Sequence, residues 1–63
     1  MSQDEVIDWL EANPGWHRTS EVADGVRRDR ENNQRASESL RRAWKANQIK
    51  REMRKDRRAW WSA

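Results

Sequence analysis

The sequence contains no cysteine, tyrosine or phenylalanine, and only one proline and two glycines among its 63 residues. Without cysteine there is no disulfide, no thiolate metal site and no cysteine nucleophile. No apolar run approaches the roughly 20 residues that span a bilayer, and no signal-peptide core is present. We therefore expect a cytoplasmic protein with no membrane partner. Leucine, isoleucine and valine together number seven, which is few for a hydrophobic core and typical of disordered chains.

Tryptophan offsets this shortage of aliphatic residues. The chain has five of them: Trp9, Trp16, Trp44, Trp60 and Trp61. Each can bury about 150–250 Å² of surface, and the formal net charge of +3 is too small for strong self-repulsion. We predict one folded domain over residues 1–63, close to the lower size limit for independent folding.

Charge is distributed unevenly along the chain. Residues 1–26 carry six acidic side chains and one basic side chain, a net charge of −5. Residues 27–63 carry thirteen basic and five acidic side chains, a net charge of +8. A basic region of this kind is typical of a surface that binds nucleic acid.

The first predicted element is a helix over residues 3–13. Ser2 and Glu5 form a capping-box pattern at its start, and Pro14-Gly15 ends it. Its apolar residues follow at helical spacing and its acidic residues lie on the other side. The acidic side is therefore expected to face away from any DNA.

A short extended segment at 16–18 leads to a predicted second helix over residues 20–27. The hydroxyl of Thr19 or of Ser20 can cap its N-terminus. Gly25 inside this helix costs about 1 kcal/mol relative to alanine. It either permits a close approach between helices or marks an early end.

Polar residues 28–32 predict a turn, after which a third helix is expected over residues 33–46. Ala36, Leu40, Ala43 and one side of Trp44 form its apolar stripe. Asn47 follows the helix at the position where a left-handed residue is favoured.

From Ile49 onward the hydrophobic period changes to two, which predicts a β-hairpin over residues 49–62. Lys55-Asp56-Arg57 is the predicted tip, and the return strand runs from Arg58 to Ser62. Trp60 and Trp61 must point to opposite faces of this strand, so one of them can close the core.

Two segments resemble the winged helix-turn-helix family. TSEVADGV, from Thr19, is similar to its S-E-L-A-x-x-L second-helix pattern. ASESLRRAWKANQIKRE, from Ala36, is similar to V-S-x-x-L-x-x-L-x-x-x-G-L-I-x-R-E. Departures include alanine at 36 and 43, Asn47 for glycine and Gln48 for leucine. The resemblance implies an α+β winged helix-turn-helix fold with three helices and a two-stranded C-terminal wing, and a short third strand is expected at 16–18.

The resemblance also implies a small bacterial or phage regulator, or an excisionase. Its partner would be double-stranded DNA, with helix 33–46 in the major groove and wing 49–62 on the backbone or in the minor groove. We expect transcriptional regulation, a nucleoid location when DNA is bound, and homodimeric or cooperative binding, because one small module makes few base contacts. The expected base contacts are Gln34, Arg35, Glu38, Arg41 and Arg42. The expected backbone or wing contacts are Ser20, Asn33, Ser37, Lys45, Arg54, Lys55, Arg57 and Arg58.

Two alternatives remain open at this stage. The chain could be an architectural, excisionase-like protein that bends DNA and contacts a recombinase or another protein. It could also be a protein-interaction domain that binds no DNA and uses the acidic face of the first helix with an exposed Trp9 as its anchor. An enzyme is not expected, because His17 is the single histidine and the carboxylates lack metal-ligand spacing. No metal, cofactor or small-molecule substrate is predicted.

Overall fold

The computed structural model describes residues 2–26 and 33–63. These residues form a small α+β fold in which three helices cover one face of a three-stranded antiparallel sheet. The sheet order is β1-β3-β2, so the last strand is central. The predicted order of elements is confirmed, and the turn expected at 28–32 lies outside the described residues. The elements are α1 (Gln3–Ala12), β1 (His17–Arg18), α2 (Thr19–Val26), α3 (Asn33–Lys45), β2 (Lys50–Met53) and β3 (Ala59–Ser62).

Side chains hold both ends of α1. The hydroxyl oxygen of Ser2 accepts a hydrogen bond from the Glu5 backbone N–H at 3.3 Å, as the capping pattern predicts. At the other end the backbone N–H of Asn13 donates to the Trp9 carbonyl at 3.0 Å, and its side-chain amide donates to the same oxygen at 2.8 Å. Asn13 is therefore the cap, and the helix ends one residue earlier than predicted.

The start of α2 differs from the prediction. The helix begins at Thr19 instead of residue 20, and a carboxylate of Glu21 accepts the Arg18 backbone N–H at 3.5 Å. The Thr19 hydroxyl accepts the indole N–H of Trp61 at 2.9 Å. The helix therefore begins one residue earlier than predicted, and the hydroxyl of Thr19, one of the two expected caps, bonds to the core tryptophan.

The core combines aliphatic residues from all three helices with one tryptophan of the sheet. Trp61 is only 2% exposed, and its indole N–H is satisfied by Thr19. Trp60 lies on the opposite face of β3 and is half-buried. The predicted division between the two tryptophans is confirmed. The buried cluster consists of Val6, Leu10, Val22, Leu40, Ala43, Ile49 and Trp61.

Trp9 is half-buried and packs against this core. Its indole occupies the position that a methyl group on Gly25 would take, so the glycine lets α1 and α2 approach closely. The Trp9 ring also meets the His17 ring edge-on, with centroids 4.8 Å apart. The expectation that Trp9 is exposed is therefore wrong, because α2 covers it.

The chain leaves α3 through a hydrogen-bonded cap. Asn47 has a left-handed φ of 60°. Its backbone N–H donates to the Trp44 carbonyl at 2.9 Å, and the Gln48 N–H donates to the Ala43 carbonyl at 3.0 Å. These two bonds define a Schellman motif. The motif ends the helix at Lys45, one residue before the predicted end, and fixes the direction in which β2 begins.

Candidate nucleic-acid interface

The exposed side of α3 carries all five residues that were expected to contact bases. Each of them is exposed, whereas Ala36, Ser39, Leu40 and Ala43 are buried on the opposite side. Thirteen residues at about 1.5 Å each give a helix about 20 Å long, enough to cross a major groove about 12 Å wide. Glu38 and Arg42 form no ion pair within the described residues, although their spacing would allow one. This exposed side, called the α3 face below, comprises Gln34, Arg35, Glu38, Arg41 and Arg42.

The hairpin tip closes with a tight turn. The Arg57 backbone N–H donates to the Arg54 carbonyl at 2.9 Å, and the Arg54 N–H donates to the Arg58 carbonyl at 3.3 Å. Arg57 has a left-handed φ of 62°, and an Asp56 carboxylate oxygen accepts the Arg58 N–H at 3.0 Å. A type I turn followed by a left-handed residue gives this hydrogen-bond pattern. The expected tip is therefore correct. The first strand is shorter by one residue at each end than predicted, at 50–53, and the return strand begins one residue later, at 59–62.

A cavity of about 280 Å³ lies where α2, α3 and β3 begin. Each helix N-terminus presents backbone N–H groups and a partial positive charge. Two arginine side chains add full positive charges to the same wall. Because these donors line one cavity, the cavity has the chemistry of an anion site suited to phosphate. This cavity, called the basic pocket, is lined by Arg18, Thr19, Ser20, Asn33, Arg58 and Ala59.

The basic pocket unites three of the expected backbone contacts, Ser20, Asn33 and Arg58. Two of the other expected contacts, Ser37 and Lys45, lie on α3 outside the pocket. Ser37 is half-buried on α3 and does not line the pocket. Lys45 is exposed at the far end of α3, about 18 Å from Asn33 along the helix axis.

Arg18 was not among the contacts expected from the sequence, because it is the single basic residue of an acidic segment. The register of the sheet brings this residue to the pocket, because β1 pairs antiparallel with β3 and Arg18 lies opposite Trp60. The signal available in the sequence was the extended segment at 16–18. A strand there must join a sheet edge, and the basic hairpin supplies that edge.

Arg54 lies against the indole of Trp60 instead of extending from the wing tip. Its guanidinium carbon is 4.0 Å from the ring centroid, and its Nε is 3.9 Å from a Glu52 carboxylate oxygen. Arg58 lines the basic pocket. Lys55 and Arg57 are exposed at the tip. The four wing cations thus occupy three different surroundings.

His17 joins the β1 segment to its neighbours. Its Nε2 lies 2.8 Å from the Asn13 carbonyl oxygen, and its Nδ1 lies 3.1 Å from a Glu21 carboxylate oxygen. The hydrogen bond with His17 is the main reason that the pKa of Glu21 is lowered, and the Arg18 backbone N–H acts in the same direction. These contacts hold β1, which contains Arg18, against Asn13 and α2. Among the described residues, no group of three or more histidine or acidic side chains could hold a metal ion.

No protein-family model, curated protein or solved structure matches this chain. None of the described helices has the length and apolar character needed to cross a membrane.

Proposed function

We propose that this chain is a winged helix protein that binds double-stranded DNA and acts in transcriptional regulation. In this proposal α3 lies in the major groove, and the hairpin β2–β3 is the wing beside it. The observation that carries the proposal is the basic pocket, where the N-termini of α2 and α3 meet two arginines beside the wing.

Phosphate binding in the basic pocket would orient the protein on DNA. Arg18 and Arg58 supply charge, and the helix termini supply backbone donors. When the DNA backbone is held at the N-terminus of α3, the α3 face lies along the major groove. Arginine then suits guanine and glutamine suits adenine in this groove.

Charge segregation supports the same orientation. The acidic side chains of α1 include Asp4, Asp8 and Glu11, which are all exposed. Such a surface repels DNA and leaves the α3 face and the wing as the favoured approach. The alternative in which Trp9 anchors a protein partner loses its main support, because Trp9 packs against Gly25.

Selection from random duplex DNA at two salt concentrations tests the proposal. We expect a recovered consensus and a log K against log [salt] slope of about −0.9 for each phosphate neutralised. Arg41→Ala or Arg42→Ala should relax the sequence preference, and Arg57→Ala should weaken all duplexes similarly. Lys50→Ala removes an exposed charge at the strand end remote from the tip and is the matched control.

Two results would overturn the proposal. The first is a folded chain that binds no duplex at low salt. The second is a binding chain in which the α3 substitutions weaken random and selected DNA equally, because α3 would then not read the sequence.

A further inference from the structure

Trp60 lies close to two guanidinium groups on the outer face of the sheet. Arg18 is its cross-strand partner in β1, and Glu52 is its partner in β2. The guanidinium carbon of Arg54 is 4.0 Å from the indole centroid, and that of Arg18 is 5.9 Å from it. One indole therefore contacts a cation of the wing and a cation of the basic pocket.

The indole N–H of Trp60 is buried and has no hydrogen-bond partner within the described residues. A buried donor without a partner costs folding free energy, which phenylalanine at this position would avoid. Indole is the side chain with the strongest cation–π attraction. The presence of tryptophan at position 60 is therefore explained by the cation–π attraction of its ring and not by a hydrogen bond of its N–H. Because the nitrogen is buried, it cannot itself reach a DNA atom.

The cation–π contacts of Arg54 and Arg18 with Trp60 do not use the N–H donors of these arginines. A guanidinium presents its N–H groups at its edge, in its own plane, so a ring against its face does not occupy them. The Arg54 Nε lies 3.9 Å from a Glu52 carboxylate oxygen, and the guanidinium keeps its other N–H groups for a phosphate. The Arg54 side chain is 41% exposed, and Arg18 lines the basic pocket. The two guanidinium carbons are at most about 10 Å apart, since both lie close to one indole. Both can therefore contact phosphates of the same DNA strand.

We infer that Trp60 is a positioning residue that orders Arg54 and Arg18 to bind neighbouring phosphates of DNA. This inference rests on the proposed function and deepens it. Ordering a long side chain during binding lowers affinity, and an arginine already held by stacking avoids much of that loss. Trp60 thus contributes to DNA affinity without touching DNA.

The test measures duplex affinity by fluorescence anisotropy over a series of salt concentrations, at a temperature where circular dichroism shows every variant folded. Trp60→Leu should weaken binding about two- to tenfold. Trp60→Phe keeps an aromatic face and should retain most of the affinity. Arg54→Ala should reduce the salt slope by about 0.9. On the Arg54→Ala background, Trp60→Leu should have a much smaller effect than on the native chain.

Arg51→Ala is the matched control. Arg51 stacks on Trp44 with its guanidinium carbon 3.6 Å from the ring centroid, but it pairs with Trp61 on the core side of the sheet. Its loss removes one charge and two cation–π contacts, to Trp44 and Trp61, on the face of the sheet opposite Trp60. We expect the Arg51→Ala variant to keep an affinity for DNA and a salt slope within about twofold of those of the native chain.

The possible failures are distinguishable. A native chain that binds no duplex refutes the proposed function, and the role of Trp60 falls with it. A native chain that binds, with Trp60→Leu equal to it in affinity and slope, refutes the role of Trp60 alone. Equal losses from Trp60→Leu with and without Arg54, or an equal loss from Arg51→Ala, would also refute it.

Discussion

Replacing Gly25 with alanine sets two effects of opposite sign against each other. Alanine is favoured over glycine inside a helix by about 1 kcal/mol, so local propensity predicts a more stable protein. The added methyl group, however, collides with the six- and five-membered rings of the Trp9 indole. Relieving an overpacked contact costs about 1–3 kcal/mol. We therefore expect net destabilisation of up to about 2 kcal/mol.

Thermal unfolding followed by circular dichroism gives the readout. For a domain of this size, about 1 kcal/mol corresponds to a Tm shift of about 4–8 °C, so Gly25→Ala should lower Tm by as much as about 16 °C. Trp9→Leu should recover part of this loss when combined with Gly25→Ala, because the collision is then removed. Asp24→Ala, at the exposed neighbouring position, is the control for helix propensity.

A rise in Tm for Gly25→Ala would refute this reasoning, because propensity would then outweigh the contact. Additive effects of the Trp9 and Gly25 substitutions would refute it as well. In that case α1 and α2 do not depend on the close approach of the indole to the glycine.

Three further predictions concern the turn, a carboxylate and a buried indole. Arg57→Gly should stabilise the hairpin by about 1 kcal/mol in thermal unfolding, because φ is 62° there and glycine adopts that conformation at no steric cost; an unchanged or lower Tm would contradict this. The pKa of Glu21 is lowered from 4.5 by its hydrogen bond with His17, so its stabilising contribution is full above about pH 4.5 and disappears as pH falls through the folded pKa. Urea unfolding should therefore show Glu21→Gln less stable than the native chain at neutral pH, with the difference vanishing on acidification; a difference independent of pH would argue against the hydrogen bond between His17 and the Glu21 carboxylate. Thr19→Val should destabilise by about 1–3 kcal/mol, since the buried Trp61 indole loses its acceptor, and Thr19→Ser should retain the native Tm.

The sequence predicts α3 well because its determinants are local. Ala36, Leu40 and Ala43 mark the buried side, and Asn47 adopts the left-handed conformation expected after the helix. The hairpin tip is predicted for the same reason, since Lys55-Asp56-Arg57 separates two runs of period two. Boundaries differ by a residue where caps compete, as at Asn13.

The errors involve partners distant in sequence. By helical spacing alone Trp9 is at the edge of the apolar side of α1, whereas in the structure Gly25 of α2 lies against it. Arg18 belongs to an acidic segment until β1 pairs with β3 and places it beside Trp60 and the basic pocket. Hydrophobic periodicity shows which face of an element is apolar, but it does not show which other element packs against that face. The contacts of Trp9 and Arg18 could therefore not be predicted from the sequence.

The central position of β3 has a consequence for the order of assembly. Both ladders of the sheet use Ala59–Ser62, and Trp61 from this strand completes the core. During synthesis β1 emerges from the ribosome long before its hydrogen-bonding partner exists. The helices can gain local structure at that time, but neither ladder can form and the core cannot close until residue 62 has left the exit tunnel. Pausing translation before residue 59 should therefore leave a nascent chain that a protease cleaves readily.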